Sequence, residues 1–164
     1  MVDIRLMVAG DREELRTLEL SLFREYLERS QAARWEDLSP ETIDMLGASN
    51  ESAYDFYSGA GLSFVALEED RIVGFLFAQM MEHVHSVPRV VWIENVGVHP
   101  DHRREGTAYL LVRKAVHEGR ARGADMVYST IMLDNLESIL LHKKLGFMVE
   151  ERRIALLDLD SSDL

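Results

Sequence analysis

No cysteine occurs among the 164 residues of this chain. This absence excludes a disulfide framework, a thiolate nucleophile, a zinc–thiolate cluster and thioredoxin-type redox chemistry. It suits a reducing compartment, so we expect a cytoplasmic protein. Apolar runs are short as well, because the longest, residues 72–81, is interrupted by Gly74 and Gln79 and is far from the ~18 residues of a membrane-spanning helix. The sequence therefore predicts no membrane span, and charges among its first residues argue against a secretory signal.

Positive charge is also scarce. The chain has 18 Lys and Arg against 29 Asp and Glu, a formal net charge of -11. Neutralisation of phosphates dominates the affinity of proteins for nucleic acids, so we expect no nucleic-acid partner. The negative field favours the approach of a cationic molecule such as an amine.

The patterning predicts a mixed α/β domain over residues 1–157, followed by an acidic tail at 158–164. Residues 62–68 and 72–79 predict an antiparallel hairpin around the turn at 69–71. A strand, an amphipathic helix and a strand in succession predict a parallel crossover over residues 90–133. The remaining predicted elements are strands at 4–8 and 147–157, helices at 11–28 and 134–145, and short helices after Ser39 and before Gly59.

The segment between the strand at 90–98 and the amphipathic helix has the composition of an anion site. Pro100 ends the strand, and Arg103-x-x-Gly106-x-Ala108 places small residues where the helix begins. Backbone N–H groups at a helix start are unpaired and lie at the positive end of the dipole, so a phosphate can approach them closely. We expect a pyrophosphate there. The segment lacks the glycines of a Walker loop or of a Rossmann fingerprint.

This segment resembles the acyl-CoA-binding motif of the GNAT superfamily of N-acyltransferases, Arg/Gln-x-x-Gly-x-Gly/Ala. A second block, Asn135-x-x-Ser138-x-x-x-His142-x-Lys144-x-Gly146-Phe147, is similar to the family's Asn-x-x-Ala-x-x-x-Tyr-x-Lys-x-Gly-Phe. The order of elements matches the family along nearly the whole chain except residues 31–61. The resemblance implies a GNAT-like fold, with a mostly antiparallel central sheet splayed at a parallel strand pair and helices on both faces.

The resemblance also implies an activity, the transfer of an acetyl group from acetyl-CoA to a primary amine by direct attack in a ternary complex. The acceptor would be a small amine or a protein or peptide amine. The implied cofactor-binding residues are Val96, Gly97 and Val98 for the pantetheine arm, then Arg103, Arg104, Glu105, Gly106, Thr107 and Ala108, then Asn135, His142 and Lys144. Gly97 is either a site of a bulge or close backbone approach, or a plain kink, and Asn135 is by composition an ordinary N-cap.

Two residues are candidates for the chemistry. Glu94 lies in an otherwise apolar strand and is our candidate general base, its alternative being an outward-facing strand carboxylate. His142 stands where the family commonly has a tyrosine, so it is an acid for the leaving thiolate, a cofactor contact or a surface imidazole. The missing tyrosine keeps a second function open, an acyl-CoA-binding module without catalysis.

The remaining histidines do not predict a metal site. His83 and His85, like His99 and His102, come in close pairs, but no carboxylate spacing completes a ligand set. We therefore expect loop residues and no metal. Assembly into a homodimer is left open by the sequence.

Overall fold

The computed structural model describes residues 2–151, 155 and 157. It divides into two compact units, Met1–Thr130 and Ile131–Leu164. The acidic tail predicted at 158–164 lies outside the described residues, and a single domain over 1–157 stays a prediction. Among the helices of the described part, none is long and apolar enough to cross a membrane.

The first unit contains a five-stranded sheet whose spatial order equals its sequence order. Strands β1 to β4 pair antiparallel, and β5 joins β4 in parallel. This confirms the predicted hairpin and parallel pair. The strands are β1 (Asp3–Leu6), β2 (Phe64–Glu68), β3 (Arg71–Val84), β4 (Val87–Val98) and β5 (Met126–Ser129). The helices of this unit are α1 (Arg12–Ser30), α2 (Pro40–Met45), α3 (Tyr54–Gly59) and α4 (Thr107–Ala121).

Helices α1 and α4 cover opposite faces of this sheet. A Cβ placed on Gly97 would lie 2.6 Å from Leu22 of α1, whereas one placed on Gly74 would lie 3.2 Å from Thr107 of α4. Gly97 pairs with Phe75, the residue after Gly74, and successive strand residues point to opposite faces. The predicted placement of helices on both faces is therefore confirmed, and glycine lets each helix approach the sheet closely.

Both helices are held by apolar stripes. On the α4 face Leu111, Val112 and Ala115 have no exposed surface, as the predicted amphipathic pattern requires. On the α1 face the buried cluster is Met7, Leu15, Leu18, Ala48, Tyr54, Tyr57, Val65, Ile72, Phe75 and Phe77. Leu22 and Tyr26, which follow Leu15 and Leu18 at helical spacing, are half-buried.

The turns of the two hairpins explain where the strand predictions succeed and fail. Glu69 and Asp70 have φ of 48° and 63°, the left-handed pair that a tight hairpin requires, and β2 and β3 flank them as predicted. Strands β3 and β4 instead extend to a second turn at residues 85–86, beyond the predicted ends at Gln79 and Val90. The alternation weakens in this stretch because the arm is largely exposed, and the ladder of backbone hydrogen bonds defines it.

In the second unit, α5 (Leu136–Lys144) starts after Asn135, as predicted. Two strand predictions are wrong. Strand β5 ends at Ser129 instead of residue 133, because its ladder with β4 stops there. A strand was also predicted at 147–157. Its described residues, 147–151, 155 and 157, pair with no described strand, and its remaining residues lie outside the description.

Candidate active site

A β-bulge interrupts β4 at Glu94. In the ladder with β3, Ile93 pairs with Ala78 and Asn95 pairs with Phe77, so Glu94 is the extra residue. The parallel ladder with β5 ends at the same level, at Ile93 and Ser129. The bulge therefore marks the place where β4 and β5 part. Of the alternatives for Gly97, the bulge is not found there, because Gly97 keeps a regular partner, and the residue instead allows the close approach of α1.

Beyond the bulge, β4 presents one open backbone edge. Residues 95–98 pair with β3 alone within the described chain. The Val98 carbonyl accepts a hydrogen bond from Arg103 Nε at 3.2 Å. An extended ligand can add to such an edge as a further strand through main-chain hydrogen bonds. The edge includes Val96, Gly97 and Val98, which the family resemblance assigns to the pantetheine arm.

The segment after β4 forms the predicted helix start. Gly106 has φ of 89° and precedes α4, whose first turn receives no hydrogen bond from the N-cap side chain. Apart from its chain neighbours, no atom of the described residues lies within 4 Å of a Cβ placed on Gly106, and Arg104, Glu105 and Gly106 are exposed. The Thr107 hydroxyl is buried and has no hydrogen-bond partner among the described residues. This combination of open space, uncapped N–H groups and an unpaired hydroxyl fits an anionic phosphate.

Arg103 holds this segment on α1. Its guanidinium donates to both carboxylate oxygens of Glu25, at 2.7 and 2.6 Å. The hydrogen bonds from Arg103 lower the pKa of Glu25, against the opposing effect of desolvation. Because Glu25 already neutralises Arg103, the adjacent and exposed Arg104 is the better placed of the predicted pair to meet a phosphate.

The Glu94 carboxylate is exposed and lies among aromatic side chains. Trp92 Nε1 donates to its Oε2 atom at 3.0 Å. The Tyr57 phenol lies beside it, and burial, followed by the charge of Glu94, raises the pKa of Tyr57 to about 12. Tyr57 is therefore a neutral phenol at physiological pH. A carboxylate that is open to solvent beside an unpaired strand edge can accept a proton from a reactant bound there.

A buried carboxylate supports the bulge from behind. Glu19 of α1 has no exposed surface. It accepts hydrogen bonds from the backbone N–H groups of Ala48 and Ser49 at 3.1 and 2.9 Å, from the Ser49 hydroxyl, and from Asn95 Nδ2 at 2.8 Å. Helix α1, the segment before α3 and the bulged strand are thus joined through one side chain. Sequence reasoning missed Glu19, although a carboxylate next to Leu18 within the apolar stripe was a usable signal.

His142 is buried within the second unit, with 1% of its surface exposed. Its Nδ1 lies 2.8 Å from the Ser138 carbonyl oxygen, which can only accept, so Nδ1 carries the proton. Nε2 is buried without a hydrogen-bond partner in the described residues. Burial lowers the pKa of His142, opposed by the hydrogen bond to Ser138. The ring is therefore neutral at pH 7 and presents Nε2 as an unpaired acceptor. His142 is thus not the surface imidazole that was one of its three alternatives.

The environment of His142 predicts a pH dependence of stability. The folded chain resists protonating this ring, whereas the unfolded chain binds the proton near pH 6.5, so the free energy of unfolding should fall as pH drops below about 6.5. We expect His142→Gln to flatten this slope between about pH 5 and 7. The exposed His117 provides the matched control, His117→Gln, which should keep it. Urea unfolding at several pH values measures both, and equal slopes in the two variants would contradict the prediction.

Asn135 and Lys144 belong to the second unit, and the paired histidines, which were not predicted as ligands, belong to the first. Asn135 accepts a hydrogen bond from the Ser138 N–H at 3.1 Å, as an N-cap does, and Lys144 is exposed at the end of α5. His85 lies in the turn of the β3–β4 hairpin. The loop prediction is wrong for His83, which lies at the end of β3, and for His102, which ends a 3-10 helix and has its Nδ1 3.1 Å from Glu68. Among the described residues no group of three potential metal ligands is found.

The chain is similar to several known acetyltransferases. A mycothiol acetyltransferase of Corynebacterium glutamicum (strain R) is 32% identical over 100 residues, 61% of this chain, and this chain spans 32% of that protein's length. The aminoglycoside N-acetyltransferase AAC(6')-Iy, solved with CoA, matches with a TM-score of 0.70 and 24% identity over 97% of this chain and 95% of that chain. An acetyltransferase of Trypanosoma brucei matches with a TM-score of 0.67 and 22% identity over 97% and 100% of the two chains.

These similarities confirm the fold that the two motifs implied. A family described as "Protein of unknown function (DUF1999)" matches residues 2–164. The chain therefore belongs to the DUF1999 family and has the fold of the GNAT acetyltransferases.

Proposed function

We propose that this protein is an acetyl-CoA-dependent N-acetyltransferase acting on a primary amine. The observation that carries the proposal is the parting of β4 from β5 at Glu94, which leaves an open strand edge leading to an uncapped helix start. One end of this arrangement suits an extended amide chain and the other suits phosphate. Relatives named as acetyltransferases, including one solved with CoA, support the same assignment.

This arrangement indicates which residues would contact acetyl-CoA. Residues 96–98 would pair with the pantetheine arm, and the N–H groups at the start of α4 would meet the pyrophosphate, with Arg104 adding positive charge. Acetyl-CoA supplies an activated thioester carbonyl. The α5 residues Asn135, His142 and Lys144 would contribute cofactor contacts, as the second motif implies.

Glu94 acts on the acceptor. An amine with a pKa of ~10.4 costs roughly 4–5 kcal/mol to deprotonate at pH 7, so a nearby base accelerates attack. Glu94 accepts the proton, directly or through a water molecule, and the amine nitrogen attacks the thioester carbonyl. A C–N bond forms and the C–S bond breaks, and the leaving thiolate takes up the second proton that the nitrogen loses on becoming an amide.

The state of His142 favours one of its alternatives. A proton donor at Nε2 requires the imidazolium, which burial disfavours. The neutral ring instead offers Nε2 as an acceptor for an N–H or S–H group. We therefore assign His142 to binding the cofactor rather than to protonating the thiolate.

The acceptor is a cationic amine, since the chain carries a net charge of -11. The names of the relatives add aminoglycosides and a mycothiol-type amine as members of a test set. A cytoplasmic location suits such a soluble co-substrate, and a homodimer stays a proposal that light scattering tests.

The test is release of free thiol from acetyl-CoA in the presence of aminoglycosides, small diamines, amino sugars and peptide N-termini. Amine-dependent release, with the acetylated product found by mass spectrometry, supports the proposal. Binding of acetyl-CoA without release by any amine favours the binding module. Absence of acetyl-CoA binding in calorimetry contradicts both functions.

A substitution at Gly106 tests the phosphate end. In Gly106→Ala the added methyl enters the open space at the helix start, and we expect acetyl-CoA affinity to fall about tenfold or more. Left-handed backbone also strains alanine by roughly 1–2 kcal/mol. Gly123 follows the other end of α4 with φ of 77°, so Gly123→Ala has similar strain without a phosphate nearby. Calorimetry giving the two variants equal affinity would contradict the assignment of this helix start.

A further inference from the structure

The orientation of Glu94 is controlled by a hydrogen bond within its own strand. Trp92 and Glu94 lie on either side of Ile93, and the Trp92 indole N–H meets Glu94 Oε2 at 3.0 Å. An indole N–H can only donate, and its best acceptor is an ionised carboxylate. The contact therefore fixes one oxygen of a side chain that is otherwise exposed.

The backbone that carries the indole is paired on both sides. Trp92 is half-buried and is an inner-strand residue, paired with Gln79 of β3 on one side and with Tyr128 of β5 on the other. This is the last stretch where β4 has neighbours on both edges, since the ladder with β5 ends at Ile93. The donor thus belongs to the rigid part of the sheet, whereas its acceptor belongs to the bulge.

A second aromatic side chain limits the remaining freedom of the carboxylate. Tyr57 is 8% exposed and packs edge-on against Phe77, with ring centroids 5.6 Å apart. Its phenol lies beside Glu94 and stays protonated. Behind the bulge, Asn95 is bonded to the buried Glu19. The bulge, and with it the origin of the Glu94 side chain, is therefore fixed from the α1 side.

We propose that Trp92 is a positioning residue for the acceptor half-reaction, holding the Glu94 carboxylate in the orientation that receives the proton of the amine. The assignment rests on the proposed acetyltransferase function and deepens it. Trp92 acts through Glu94, so its contribution disappears when Glu94 can no longer act as a base. A role in packing alone would persist whatever residue occupies position 94.

The experiment is a double-mutant cycle on kcat. Trp92→Phe keeps an aromatic ring and removes the N–H donor, so we expect kcat to fall about tenfold, within the usual cost of a misplaced catalytic group. The KM for acetyl-CoA should stay unchanged, because the strand edge and the start of α4 are not altered. Introduced into Glu94→Gln, the same substitution should lower kcat no further. Thermal unfolding verifies that each variant is folded.

A kcat for Trp92→Phe equal to that of the wild type overturns the proposal, and so does an undiminished effect in the Glu94→Gln background. The indole N–H resonance of Trp92 provides a readout that needs no turnover, since Glu94→Gln should shift it while leaving that of Trp35 in place. An unshifted resonance also overturns the proposal. If the wild type turns over no amine, the proposed acetyltransferase function is wrong, and so is the role of Trp92 in catalysis. A shifted indole resonance would in that case still show that Trp92 contacts Glu94.

Discussion

Replacing Glu94 with glutamine should lower kcat about 100-fold or more while leaving acetyl-CoA affinity nearly unchanged. Glutamine keeps the size of the side chain and can still accept the Trp92 N–H through its carbonyl oxygen, but it cannot take a proton from the ammonium group. The loss should shrink as pH approaches the pKa of the acceptor, because the free amine then needs no base. Steady-state kinetics across pH and calorimetry with acetyl-CoA measure the two effects separately.

Glu82 offers a matched control for the change in charge. It is an exposed carboxylate on the β3–β4 hairpin, opposite Arg89, so Glu82→Gln removes the same charge at a distance from the bulge along the strand. This variant should retain turnover. Equal kcat for the wild type and Glu94→Gln at every pH would make Glu94 an outward-facing strand carboxylate, the alternative that the sequence left open.

The second large effect concerns stability. We expect Glu19→Gln to lower the free energy of unfolding by about 2–4 kcal/mol. The carboxylate of Glu19 receives four hydrogen bonds in a site with no exposed surface. Glutamine replaces one accepting oxygen with an amino group, which would face donors from Ser49 or Asn95 and leave them unpaired.

Glu13 provides the comparison on the same helix, since it is exposed on the first turn of α1. Glu13→Gln should change the free energy of unfolding by less than about 0.5 kcal/mol. Denaturant titration gives both values. Equal stabilities of the two variants would mean that the hydrogen bonds at Glu19 add nothing to the fold beyond what a neutral side chain supplies.

The features that the sequence predicts correctly are those determined by residues close together in the chain. Pro100, Gly106 and Gly123 delimit α4, and its apolar stripe faces the sheet as the spacing requires. The hairpin after β2 follows from the acidic pair at its turn. The motif at 103–108 likewise identifies a helix start, because backbone conformation and small side chains suffice to make one.

Features that depend on distant partners escaped the sequence. The bulge lies at Glu94 and not at Gly97 because it is set by the register against β3, about fifteen residues away. The burial of Glu19 depends on donors near residue 48, about thirty residues along the chain. Composition and periodicity carry little information about such pairings.

The order of the sheet bears on how the chain acquires its structure. Each strand lies beside its sequence neighbour, so β2, β3 and β4 can zip together as successive hairpins with short loop closures. The parallel joining of β5 to β4 is different, because the whole of α4 must be spanned first. We expect that step to come late in refolding, so the backbone N–H groups of the β4–β5 ladder should be among the last to gain protection from hydrogen exchange.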